Sequence, residues 1–176
     1  MILPSRLKAA TWILVTSLAK QSESGAGQIA VTMDDLVPIF RERLAAGQSI
    51  RFSPRGVSML PMLRQGIDTV TLSPAPAQLK KYDLPLYQRD DGKYILHRIV
   101  NAEGTYTCIG DNQFVLEPGV RHDQIIAVVT SFTRSGREVP VTALTYQLYC
   151  RIWHYSRPVR HFWRRGIGWL RRHLHK

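Results

Sequence analysis

The sequence predicts a mainly β fold, a compact antiparallel β domain with one N-terminal helix before it and C-terminal amphipathic helices after it. Three observations carry that expectation. From Ser49 onward, short apolar runs rich in β-forming residues alternate with glycine- and proline-containing turns. Ahead of them, Leu36, Val37, Phe40 and Leu44 recur at helical spacing. Beyond Pro140 the apolar period becomes helical again.

The elements follow in order. Residues 9–19 carry no charge and follow Arg6 and Lys8. They are shorter than the roughly 20 apolar residues that a membrane-spanning helix needs, and no small-residue cleavage site precedes Lys20. Residues 21–30, with Ser22, Ser24, Gly25, Gly27 and Gln28, read as a linker. Positions 1–30 are therefore expected to form a flexible, frayed or weakly interfacial extension. A helix over 31–47 has Thr32 or Asp34 to cap it and Gly47 to close it. The β domain spans 48–138, with strands expected at 50–52, 69–72, 84–88, 94–100, 105–109 and 125–132. Asp91-Gly92 marks a hairpin, and Glu103-Gly104 and Pro118-Gly119 mark further turns. The stretch 139–176 reads as a basic amphipathic helical tail. It has a helix over 142–156, an interruption at Pro158, and an apolar stripe of Val159, Phe162, Trp163, Gly166, Ile167, Leu170 and Leu174.

Charge is distributed unevenly over the 176 residues, whose net formal charge is +11. Residues 1–20 hold three cations and no acid, 21–133 hold 11 cations and 12 acids, and 134–176 hold ten cations and one acid, Glu138. A nearly neutral body with a basic tail argues against a globally basic nucleic-acid binder and for a local anionic partner. Cys108 and Cys150 are the only cysteines. One disulfide is formally available to them, but two reduced thiols are expected. No Cys and His spacing fits a metal site.

Three motifs carry chemistry. In Gly56-Val57-Ser58-Met59-Leu60-Pro61-Met62-Leu63 a serine follows a small turn residue, with a proline three positions on. Pro61 suits a first helical turn, which would put Ser58 at a helix N-terminus where free backbone N–H groups serve a developing oxyanion. The alternative is a serine that only caps a helix. In Tyr94-Ile95-Leu96-His97-Arg98-Ile99-Val100 a histidine interrupts a core-like strand. It is either a base for the serine or a core histidine bonded to backbone. In Ile109-Gly110-Asp111-Asn112-Gln113, Asp111 either closes a turn or orients the far nitrogen of His97. Lys93, four residues before His97, is a second candidate base, although its place beside the Asp91-Gly92 turn points to a solvated side chain.

In this order the motifs resemble a known family. Ser58-Met59 with Pro61 and Leu63, then Gly66 and Asp68, Lys81-Tyr82-Asp83, His97-Arg98-Ile99 and Gly110-Asp111-Asn112 look like the type I signal peptidases and their LexA-repressor relatives. The likeness runs from about Phe52 to Phe132. Bacterial signal peptidases and LexA-type repressors have a lysine where this chain has His97. The archaeal and endoplasmic-reticulum enzymes have histidine followed by arginine, as here. The resemblance implies a β peptidase domain in which Ser58 attacks a peptide carbonyl, His97 accepts its proton and the backbone at Ser58 serves the oxyanion. A nearby acid completes the set, Asp111 as first choice, with Glu117 standing where relatives carry a second acid. No metal or organic cofactor is implied.

The implied function is a serine endopeptidase that cleaves signal or leader segments of exported or modified peptides through an acyl-enzyme. The rival is a non-catalytic or self-cleaving regulatory module of LexA type, whose usual helix-turn-helix is not found among the roughly 50 residues before Ser58. The expected partners are a peptide or preprotein substrate and an anionic membrane surface, met by Tyr149, Trp153, Tyr155, Phe162, Trp163 and Trp169 among the tail's arginines. Packing of the tail on the body ranks next, and nucleic acid last. The expected location is membrane-associated without a spanning helix, or cytoplasmic.

Overall fold

A computed structural model describes residues 32–163. The predicted 1–30 extension and the tail residues Gly166, Ile167, Trp169, Leu170 and Leu174 lie outside that range.

Helix α1 (Met33–Ala45) begins at Thr32 rather than Asp34. The Thr32 hydroxyl accepts from Asp35 N–H while the Asp35 carboxylate accepts from Thr32 N–H at 2.9 Å, a reciprocal capping box. Val37, Phe40 and Leu44 form its buried stripe, and Phe40 packs against Phe52 with ring centroids 5.7 Å apart. Ala46 is the terminal cap residue, and Gly47 turns the chain away at φ 72°, a left-handed conformation natural to glycine.

Among the described residues nine strands follow: β1 (Ile50–Phe52), β2 (Val70–Ser73), β3 (Pro85–Gln88), β4 (Tyr94–Leu96), β5 (Arg98–Asn101), β6 (Tyr106–Ile109), β7 (Glu117–Val120), β8 (Ile125–Arg134) and β9 (Arg137–Pro140). All pairings are antiparallel. The first sheet runs β1-β2-β8-β3-β4, with β9 also on β8, and the second runs β5-β6-β7. Long β8 is the spine, pairing Val70 with Phe132 and Leu72 with Val129 on β2, then Leu86 with Ala127 on β3. The mainly β, antiparallel expectation therefore holds, flanked by α1 and by α2 (Leu144–Tyr155).

Three details differ from the sequence expectation. The strand expected over 94–100 is two strands in two sheets, separated by His97. Beyond the break, Ile99 bonds instead to the Lys81-Tyr82-Asp83 segment, through Tyr82 N–H to Ile99 C=O (2.8 Å) and Ile99 N–H to Asp83 C=O (2.9 Å). Strand β7 incorporates Pro118-Gly119, which reads as a turn. Proline is tolerated there because β7 is an edge strand with irregular register against β6. The interruption near Pro158 amounts to one turn residue, Ser156. Helix resumes at 157, with Pro158 in a first turn that tolerates its missing N–H.

Two buried clusters hold the layers together. The larger joins α1, the first sheet and α2 through Phe40, Phe52, Met62, Leu72, Phe132 and Tyr146. The smaller, with Leu79, Tyr87, Ile99, Tyr106 and Cys108, lies between the two sheets' inner strands. Cys108 and Cys150 are buried free thiols. Among the described residues no helix is long and apolar enough to cross a membrane.

Candidate active site

Ser58 lies in the β1–β2 connection, half-buried, in a turn rather than at a helix N-terminus. Only isolated turn bonds form there, Leu60 N–H to Val57 C=O (3.2 Å) and Leu63 N–H to Met59 C=O (3.0 Å). Met59, Met62 and Leu63 are drawn into the core, and the Leu60–Pro61 peptide is cis. The helix-terminus oxyanion site expected from Pro61 is therefore not built here.

The turn is fastened at both ends by polar groups. Asp68, 1% exposed, accepts from the backbone N–H and the guanidinium of Arg64, at 2.8–2.9 Å. Arg134 on β8 donates to Pro61 C=O (2.6 Å) and Met62 C=O (2.9 Å). On the other side, Asn112 donates its N–H to Ser58 C=O (2.8 Å) and its side-chain amide to Val57 C=O (3.2 Å).

The structure brings Ser58 and His97 to the same point. A Cβ built on buried Gly110 would lie 3.1 Å from Ser58 Cβ, 3.1 Å from His97 Nε2 and 2.7 Å from Ser58 C=O. Only glycine allows that approach. Ser58 and His97 both line one open cleft of about 120 Å³, with Arg55, Met59, Tyr94 and Leu96 among its other walls. His97 is 3% exposed. Burial pushes its imidazole below the ordinary value, Glu117 pulls the other way, and Arg89 adds to the lowering. A neutral ring with its proton on Nδ1 offers Nε2 as an acceptor toward the serine.

Behind the ring stands Glu117, the first residue of β7. Its Oε2 is 3.5 Å from His97 Nδ1, close enough for an ion pair but not aligned as a hydrogen bond. Catalytic contacts in unliganded sites are often this loose. Glu117 is itself held by the Tyr87 hydroxyl (2.7 Å) and by a two-pronged contact from Arg89. Partial burial raises its carboxyl, but these donors outweigh burial and leave it below the usual range.

Asp111 does not fill the role that sequence order favours. Its carboxylate is taken up by a two-pronged pair with Arg98, Nε–Oδ1 at 2.9 Å and a terminal nitrogen to Oδ2 at 2.8 Å. Both residues are buried, 2% and 4% exposed. The Tyr149 hydroxyl from α2 adds a third donor to Oδ2 (3.0 Å), and Trp153 Nε1 donates to Asp111 C=O (2.7 Å). Gly110 and Asp111 lie just beyond β6, where Gly110 packs on Ser58 and His97 while Arg98, the first residue of β5, and the Tyr149 hydroxyl take up the Asp111 carboxylate. Tyr149 and Trp153, expected at a membrane, contact the body instead, on the inward face of α2 that bonds to Asp111. Lys93 is exposed and paired with Asp91 at 2.7 Å.

No known protein family, curated protein or solved structure matches the chain. The site is thus described by its own geometry, and among the described residues no cluster of His, Cys, Asp or Glu could hold a metal ion. Sequence reasoning missed Arg89, Tyr87 and Arg134. Arg89 and Tyr87 alternate on and just beyond β3, which places both toward one face and was a readable signal. Arg134 lies too far along the chain from the turn it grips for any local pattern to connect them.

Proposed function

We propose that this chain is a serine endopeptidase in which Ser58 is the nucleophile, His97 the general base and Glu117 the carboxylate behind the base. The observation that carries the reading is the convergence of Ser58 Cβ and His97 Nε2 on Gly110, in an open cleft, with Glu117 at the ring's far nitrogen. A buried neutral imidazole is a competent acceptor near neutral pH. Attack by Ser58 Oγ on a peptide carbonyl moves its proton to His97 Nε2. The imidazolium then formed is stabilised by Glu117 and returns the proton to the leaving amine. Water enters by the same base and hydrolyses the acyl-enzyme. The resemblance to histidine-type signal peptidases extends the proposal to signal or leader segments of exported or modified peptides as substrates.

The test is covalent labelling of the purified chain with penem and fluorophosphonate probes, read by mass spectrometry of the modified peptide. An adduct on Ser58 that disappears in His97→Ala supports the reading. A folded protein that no probe modifies, or an adduct that survives His97→Ala, refutes it in favour of a non-catalytic module.

A further inference from the structure

The helix that covers the Arg98–Asp111 pair has a second face. Leu144, Leu148, Ile152, Tyr155, Val159 and Phe162 are all exposed, from 57% at Leu148 and Ile152 to 86% at Leu144. Helical hydrogen bonding continues through the turn residue, Ser156 N–H to Ile152 C=O and Arg160 N–H to Ser156 C=O. At about 100° per residue, these six side chains fall within an arc of roughly 80° and run for roughly 27 Å. Tyr146, Cys150 and Trp153 lie on the other side, in the body. Soluble proteins seldom leave so continuous an apolar stripe to water.

Charge decides what covers it. Residues 134–176 carry ten cations against one acid, so a second copy of this face would bring like charge against like. The chain's own uncharged 9–19 segment is a poor cover for the same reason, since residues 1–20 carry three cations and no acid. Among the described arginines of this helix Arg151 is exposed, but Arg160 stacks on the Trp153 ring at 3.7 Å and donates to Asp111 C=O. The exposed face is therefore set by its apolar side chains rather than by a row of cations that would track phosphates. Aliphatic and aromatic residues on one face of a helix, in a segment whose sequence is rich in arginine, match the headgroup boundary of an acidic bilayer.

We propose that the outer face of α2 and its continuation to 163 docks on an anionic lipid surface, lying in the interface rather than crossing it. The docking does not depend on Ser58 chemistry.

The test is co-sedimentation of the full chain with vesicles of phosphatidylglycerol and phosphatidylcholine, against vesicles of phosphatidylcholine alone. Wild type and Ser58→Ala are expected to bind the acidic vesicles equally, more tightly than neutral ones, and less tightly as salt rises. Leu148→Asp with Ile152→Asp should weaken binding on the order of tenfold or more, with an unchanged circular dichroism spectrum. Leu148→Ser with Ile152→Ser gives a milder second reading should the acidic pair fail to fold. Indifference of the wild type to acidic vesicles overturns the proposal, as does undiminished binding by the folded variants. A vesicle-free dimer that these substitutions convert to monomer also overturns it, because a second copy would then own the face.

Discussion

Replacing Asp111 by Asn separates a structural carboxylate from a catalytic one. Arg98 is buried with Asp111 as its only anionic partner among its contacts; the others are Tyr82 C=O, the Tyr146 hydroxyl, Cys150 Sγ and Met62 Sδ. Asn keeps one acceptor but loses the charge and turns an amide donor toward groups that already donate. Breaking a buried ion pair from one side costs about 3–5 kcal/mol, because the remaining charge stays desolvated. With a urea m-value of about 2 kcal/mol/M, the unfolding midpoint should fall by roughly 1.5–2.5 M. Glu117→Gln leaves Arg89, whose side chain is 36% exposed, to water and should cost only about 1 kcal/mol. The assay is urea unfolding followed by fluorescence, alongside probe labelling of Ser58 well below each midpoint. Asp111→Asn should be far less stable yet still labelled within about tenfold of wild type, since Asn112 still holds Ser58 C=O. An Asp111→Asn protein of wild-type stability that no longer labels would refute this reasoning and return Asp111 to the catalytic role.

The remaining expectations concern the site. The rate of Ser58 labelling should fall on the acid side only below pH 6.5, the ordinary imidazole value, because burial favours neutral His97. Glu117→Gln removes the group that raises His97, so its acid limb should move lower still, with the plateau reduced on the order of a hundredfold. Arg89→Met removes a cation that disfavours imidazolium, so the limb should move to higher pH; a limb that moves the other way contradicts the assigned electrostatics. Gly110→Ala must push the Ser58 backbone oxygen, 2.7 Å from the added Cβ, and should cut labelling about a hundredfold for about 1–3 kcal/mol of stability. Equal labelling of Gly110→Ala and wild type would show that Ser58 and His97 do not converge there. Lys93→Met should leave labelling unchanged at every pH, and a lost signal would revive lysine as the base.

Much of this architecture is legible in one dimension. Helix α1 shows in the spacing of Val37, Phe40 and Leu44, and the strand spine in the apolar run of β8. The motifs point to Ser58, His97 and Asp111, while the part played by Gly110 as the place where Ser58 and His97 meet is visible only in the fold. What the sequence does not show is which partner claims Asp111. Asp111 stands next to Gly110 in the chain, so linear proximity favours it, whereas the buried Arg98 guanidinium takes up its carboxylate and leaves Glu117 behind His97. The split of the 94–100 run was hidden for a different reason. An unbroken apolar sequence reports burial but not which sheet provides it.

The position of His97 between β4 and β5 has a dynamic consequence. Its neighbours on either side take their hydrogen bonds from different sheets, which meet across one shared buried cluster. The imidazole is thus a reporter of how the two sheets sit against each other, not of the integrity of either one. A slight relaxation between them would carry Nε2 away from the serine while every strand kept its protected amides. Loss of reactivity at low denaturant, ahead of any change in hydrogen exchange within the sheets, is the behaviour that such a seam imposes.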